Sequence, residues 1–329
     1  MITISRYTPE SRHEWDKFVR NARNSTFLFL RDYMDYHADR FKDCSWIARK
    51  GSGIAAILPA NVSEDGILHS HQGLTYGGWI LPERHVDGAD ILDIFEAAIE
   101  KWKDEGYKAL DYKPLPYIYS LHPSQEDEYA LFRLGAVRTE CNLSTAIPIA
   151  EICRKIIGNE ESSDSPRSFY NKLRRRALSK SARLDFTIKE YNDAAPIMAM
   201  TTACLKERHD AAPVHSIKEM QTLKDLFPEQ IRFWILEYAS SPQAAVCIYD
   251  TGRVAHAQYI ATTTLGRELD LLTPLIDYLI NEIYTSHPYF DFGISNENGG
   301  QYLNRGLLRH KASFGATGVA YNRYFLDLA

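Results

Sequence analysis

Asp291 stands alone among aromatic residues in Tyr289-Phe290-Asp291-Phe292, and strand alternation turns its side chain opposite to both phenylalanines. A carboxyl in such surroundings loses water and rises in pKa, as a general base requires. The same carboxylate could instead accept backbone N–H groups of the turn that follows, Ile294-Ser295-Asn296-Glu297-Asn298-Gly299-Gly300. Asp111, in Ala109-Leu110-Asp111-Tyr112, carries both readings. The stretch Thr262-Thr263-Thr264-Leu265-Gly266-Arg267 precedes an amphipathic segment. A helix starting there would offer N–H groups to a phosphate, with Thr264, Gly266 and Arg267 as contacts, or it is an ordinary strand-to-helix turn. Tyr76-Gly77-Gly78-Trp79 lets either a ligand or another backbone approach closely. Lys113-Pro114-Leu115-Pro116-Tyr117-Ile118-Tyr119 adds a cation and two phenols, or is a rigid connection. His69 and His71 alternate on one strand face, a metal-compatible spacing without a third ligand. His209, Asp210 and His215 fall in a predicted loop, and no metal is expected.

Two amphipathic helices are predicted around these residues. Ile91, Ile94, Phe95, Ala98, Ile99 and Trp102 form one apolar stripe, and Leu272, Leu275, Ile276, Leu279, Ile280 and Ile283 repeat its spacing. Strand-like runs over Ile54–Val62 and Gly66–Ser70 precede the first; Ala244–Tyr249 and Val254–Ala261, joined by Asp250-Thr251-Gly252-Arg253, precede the second. The Asp111 and Asp291 strands follow. Strand, turn, strand, helix, strand is therefore repeated about 180 residues apart, a structural duplication.

At 329 residues the chain suits two domains of about 150 residues each. We place an N-terminal domain at 1–150, a polar connector and basic helix at 151–185, and a C-terminal domain at 186–329. The connector Gly158-Asn159-Glu160-Glu161-Ser162-Ser163-Asp164-Ser165-Pro166 is rich in breakers. Pro166 suits a first helical turn, so Ser168–Ala182 reads as a helix with Phe169, Leu173, Ala177 and Leu178 as a thin apolar stripe. Its cations would face solvent or a ligand: residues 165–184 hold Arg167, Lys172, Arg174, Arg175, Arg176, Lys180 and Arg183 without an acid. The net charge of −5 and 25% charged residues fit an ordinary globular protein rather than a disordered one. Cys44, Cys141, Cys153, Cys204 and Cys247 lack the pairing of a disulfide framework or thiolate zinc site. The N-terminal residues show no secretory signal and no apolar run reaches the ~20 residues of a membrane span; the expectation is a cytoplasmic protein.

Helix, antiparallel hairpin, V-shaped opening into a helix and a following strand resemble the GNAT acyltransferase fold, and the doubled form resembles its Fem-type (FemAB-like) subfamily. The residues carrying this are Lys172-Leu173-Arg174-Arg175-Arg176-Ala177, Asp291-Phe292-Gly293, Leu303-Asn304-Arg305-Gly306-Leu307 and Lys311-Ala312-Ser313-Phe314-Gly315, with Thr26-Phe27-Leu28-Phe29-Leu30-Arg31 similar to the opening segment. The implied fold is α/β (α+β), two tandem GNAT-like domains, each a mixed, mostly antiparallel sheet flanked by helices. Single-domain acetyltransferases carry Gln/Arg-x-x-Gly-x-Gly/Ala where this chain keeps Gly266 alone.

The resemblance implies an N-acyltransferase moving an acyl group from acetyl-CoA or another acyl-CoA to a small-molecule or peptide amine in a cleft between the domains. Lys311 lies where the pattern puts a lysine that contacts anionic substrate or stabilises charge, and it could also be a solvated lysine. Lys311, Asp291 and Tyr76 are the catalytic candidates; Thr264, Gly266 and Arg267 would hold the cofactor; Arg31, Gly77, Gly78, Lys113 and Asn304 would hold substrate. Two alternatives stand beside this: aminoacyl-tRNA as donor, with Arg174–Arg176 on its phosphates, and a non-catalytic ligand-binding protein on the same fold.

Overall fold

A computed structural model of the protein describes residues 1–149 and 166–329; Cys153 and most of the polar connector lie outside them. The chain forms two compact units, residues 1–142 with 297–302 and 320–329, and residues 143–296 with 303–319.

The first unit contains β1 (Ile2–Arg6), β2 (Trp46–Lys50), β3 (Gly53–Leu58), β4 (Asn61–Val62), β5 (Ile67–His69), β6 (Ala109–Tyr112) and the start of β7 (Val137–Pro148). β1, β2 and β3 pair antiparallel. β4 pairs antiparallel with β5, and β5 runs parallel to β6. The predicted run Ile54–Val62 is thus two strands in two sheets. Pro59, which cannot donate to a ladder, falls where the run breaks. The predicted stripe becomes the Gly88–Asp104 helix, capped by Asp87, which accepts from Ala89 N at 2.9 Å and Asp90 N at 3.0 Å. It buries Ile91, Ile94, Phe95, Ala98 and Trp102 against Trp46, Leu68, Trp79 and Leu110, each large side chain contributing about 1.5–3 kcal/mol.

The second unit contains β8 (Phe186–Tyr191), β9 (Ile231–Tyr238), β10 (Ser241–Asp250), β11 (Val254–Thr262) and β12 (Tyr289–Ile294). β8 to β11 pair antiparallel in order. β12 pairs parallel with β11 and antiparallel with the end of β7. The Leu272–Tyr278 helix continues into a π-helical turn, Leu279–Ile283, and buries Leu275, Ile276, Leu279 and Ile280. Short strands β13 (Asn296–Glu297) and β14 (Tyr302–Leu303) lead to the Arg305–Ala312 helix. β15 (Thr317–Asp327) ends the chain, its C-terminal half pairing antiparallel with β6. The expected repeat is therefore present in both units: a hairpin, a helix, and a strand that returns parallel to the hairpin's second strand.

The basic segment forms a 3-10 turn at Pro166–Phe169 and a helix at Lys172–Ser181. Its apolar stripe is not the predicted one. Leu173 is 68% exposed, while Arg174 takes the buried position at 4%. No described helix is long and apolar enough to cross a membrane.

Candidate functional site

In the second unit, β11 and β12 pair over only Val254↔Tyr289, Ala255↔Phe290 and His256↔Asp291. Past His256 their pairing stops, although β11 continues to Thr262 and β12 to Ile294. There lies a cavity of about 600 Å³ lined by Ile260, Ala261, Thr262, Phe292, Leu307 and Lys311 among others. Gly266, Arg267 and Asn304 also reach it. Thr264 begins the short Thr264–Glu268 helix beside it.

Lys311 is 4% exposed and its Nζ donates to the carbonyls of Gly293 at 2.9 Å and Ile294 at 2.6 Å. Gly293 has φ +74, a left-handed backbone conformation suited to glycine. Burial pulls the Lys311 ammonium down to about 8, with the Asp291 charge opposing. Asn304 caps the Arg305–Ala312 helix, its Oδ1 accepting from Leu307 N at 3.0 Å. Asp291 is fully buried. Its Oδ1 accepts from Ser144 Oγ at 2.6 Å and Gly293 N at 3.2 Å, and its Oδ2 lies 2.7 Å from His256 Nδ1.

The predicted phosphate contacts have protein partners. Gly266 N donates to Thr263 Oγ1 at 3.0 Å. A Cβ on Gly266 would lie 2.2 Å from the Gln243 carbonyl oxygen, so glycine serves close backbone packing there. Arg267 reaches Glu207 at 2.7 Å, Thr262 O at 3.1 Å and Thr264 Oγ1 at 3.0 Å.

The remaining candidates belong to the first unit. Gly77 N donates to Lys113 O at 2.8 Å, and a Cβ on Gly77 would fall 1.7 Å from Ser70 O. Gly78, at φ +87, would place one 2.6 Å from the Tyr112 hydroxyl. Another backbone and a phenol occupy the space that the glycine pair opens. Lys113 Nζ donates to Leu74 O at 2.5 Å; burial and Arg323 pull it down to about 8, against Asp111 and Glu140. Tyr76 is buried between Phe29 and Tyr119. Arg31 is 2% exposed, ion-paired with Asp35 and Asp43 and stacked 4.1 Å over Tyr7. Its position is that of an internal clamp.

Sequence reasoning singled out His69 for its spacing from His71 but missed its pairing with Asp111, and missed His256 altogether. His69 Nδ1 lies 2.7 Å from Asp111 Oδ2, and His256 stands in the same relation to Asp291. In both copies the third residue of the outgoing strand faces the third residue of the returning parallel strand. Superposing the two sequence repeats would have revealed this. His71 does not share a strand face with His69, because β5 ends at His69 and His71 adopts φ 88. No group of three metal-binding side chains occurs among the described residues.

No family model matches the chain, nor does any curated protein sequence. Solved structures do. The crystal structure of FemX is similar over 99% of this chain and 97% of its own, with a TM-score of 0.70 at 10% identity. L-PGS from Bacillus licheniformis matches 96% and 91% at TM-score 0.55 and 12% identity. A tandem GNAT protein from the clavulanic acid biosynthesis pathway matches 100% and 99% at 0.53 and 10%. The chain has the Fem-type tandem GNAT fold. Within the Fem-type fold the parted parallel strands occur in both units, but they are filled differently. Residues 70–77 bond onto β6 and its extension in the first unit, through Ser70 N to Asp111 O at 2.9 Å and Gly77 N to Lys113 O.

Proposed function

We propose that this protein is an N-acyltransferase whose second unit receives the acyl donor between β11 and β12, and which passes the acyl group to an amine. The observation carrying the reading is the cavity where those strands part, with buried Lys311 in its lining. Lys311 is anchored by two carbonyls, so in its charged form a third N–H is left to meet the negative charge that builds on the donor carbonyl oxygen. The apolar lining from Ile260, Ile276 and Phe292 suits an acyl chain and excludes water.

Acyl-CoA is the donor to test first. Free CoA at 100 times its dissociation constant would stabilise the folded protein by about 2.7 kcal/mol. The decisive assay follows thiol release from acetyl-CoA with a panel of primary amines. Absence of both stabilisation and turnover at millimolar CoA overturns this donor.

Aminoacyl-tRNA is the second reading, favoured by exposed Lys172, Arg175, Arg176 and Lys180 on one helix and Arg183 in the turn after it and by the prior engagement of Gly266 and Arg267 within the protein. It requires tRNA binding that weakens steeply with salt and a shallower salt slope in Arg175→Ala/Arg176→Ala. Arg174 is excluded from that contact because its guanidinium is internal.

A further inference from the structure

Two glycines line the cavity beside β11 and β12, Gly266 and Gly306, and the fold accounts for only one of them. Gly266 packs on the Gln243 carbonyl, where a Cβ would lie 2.2 Å from the oxygen. Gly306 is the second residue of the Arg305–Ala312 helix and does not take a left-handed φ. Beyond its chain neighbours and its own helix, a Cβ there would meet only Asn304 Oδ1, at an ordinary 3.6 Å. Neither backbone conformation nor packing calls for glycine, the poorest helix former after proline.

The helix around it defines what the missing side chain leaves open. Gly306, Leu307, His310 and Lys311 all line the cavity, and at i, i+1, i+4 and i+5 they make one face of the helix. A side chain at 306 would therefore stand on the cavity wall, one turn before His310. That wall runs inward. Gly306 and Leu307 are exposed, whereas Lys311, one turn and about 6 Å past Leu307, is buried. Ala261, Ile276 and Phe292, all buried, belong to the inner end. Gly306 is thus a gap in the rim on the path from solvent to Lys311.

We infer that Gly306 is a specificity-determining residue: the arm that carries the acyl group passes across it, and the absent side chain sets the width of arm that the site accepts. This rests on the acyl-transfer reading above. The donor class that fits is a thioester at the end of an extended, unbranched chain, its carbonyl at Lys311 and its acyl group against Ile276 and Phe292.

The test is a size series at one position. Gly306→Ala, Gly306→Val and Gly306→Leu are compared with wild type for apo Tm, for turnover of acetyl-CoA with an active amine, and for turnover of acetyl-pantetheine, which keeps the arm and lacks the nucleotide. Apo Tm should hold or rise in Gly306→Ala, since alanine is the better helix former. Donor KM should rise with side-chain size, roughly tenfold or more by valine, the scale of overpacking a filled site. The rise should be the same factor for both donors, with the amine KM within twofold. A lower apo Tm in Gly306→Ala marks a structural glycine and overturns the inference. So does a donor KM within twofold of wild type in Gly306→Leu, or a rise confined to acetyl-CoA. Those outcomes leave acyl transfer standing, whereas no wild-type turnover with any amine or donor overturns the acyl-transfer reading and this inference with it.

Discussion

Replacing Arg174 should cost far more stability than replacing its neighbours, although Arg174, Arg175 and Arg176 are indistinguishable as a run. The Arg174 guanidinium lies 4.4 Å over the Phe314 ring, donates to Ser313 Oγ at 3.0 Å, reaches Asp270 at 3.3 Å and His310 Nδ1 at 3.1 Å, and bonds Thr273 Oγ1. Burial lowers its pKa and Asp270 opposes that. Truncation to alanine removes a charge-assisted network of about 1.5–3 kcal/mol and a desolvated cation–π contact of about 1–2 kcal/mol. Part is recovered: Asp270 is 44% exposed and can rehydrate, while Thr273 and Ser313 keep bonds to Asp270 and the His310 carbonyl. The expected loss is about 3 kcal/mol, equivalent to ~6–12 °C in Tm for a unit of this size. Arg175→Ala and Arg176→Ala should stay within about 0.5 kcal/mol. Urea unfolding followed by circular dichroism, with Arg174→Met as a shape-preserving companion, measures both. A loss under about 1 kcal/mol for Arg174→Ala, or an equal loss at Arg175, refutes the assignment.

Gly266→Ala should lower Tm without any ligand, because its Cβ meets the Gln243 carbonyl at 2.2 Å and relief of such overlap costs about 1–3 kcal/mol; an unchanged apo Tm would return Gly266 to a purely ligand-facing role. Burial pushes Asp111 up, but the hydrogen bonds from Arg323 and His69 outweigh it and hold the carboxyl at about 2. Its contribution, about 2 kcal/mol, is therefore present above pH ~4 and lost as pH falls towards 2. Arg323→Met should flatten that acid limb in equilibrium unfolding, and an unaltered limb contradicts the pairing. Asp127 is the opposite case: burial, against the Tyr112 hydrogen bond, raises it to about 7. Stability tied to its neutral form is lost as pH rises from about 4 through 7, so Asp127→Asn should remove that decline; a decline of the same size in the variant would assign it elsewhere.

Periodicity was enough to read both amphipathic helices, the duplicated hairpin-helix-strand order and the matching aspartates, because each depends on residues close in sequence. The histidine–aspartate pairings escaped because the partners lie 42 and 35 residues apart across a parallel pair, and register is not written in either strand alone. Arg174 escaped for a related reason. A buried arginine is recognised by what surrounds it, and Asp270, Thr273, His310 and Phe314 come from distant segments. Gly77 and Gly78 were legible as sites of close approach, but the approaching group, Ser70 or Tyr112 rather than a ligand, is fixed by tertiary packing. Pro59 was a readable exception: a proline inside Ile54–Val62 already argued for two strands.

The account rests on the second unit taking an acyl donor between β11 and β12 at Lys311. Its most direct test is a crystal structure with a non-hydrolysable acetyl-CoA analogue. The prediction is density for the acyl end beside Phe292 with its carbonyl oxygen within hydrogen-bond reach of Lys311 Nζ, and its loss in Lys311→Met. Analogue bound away from these strands, or bound there identically without Lys311, would contradict it.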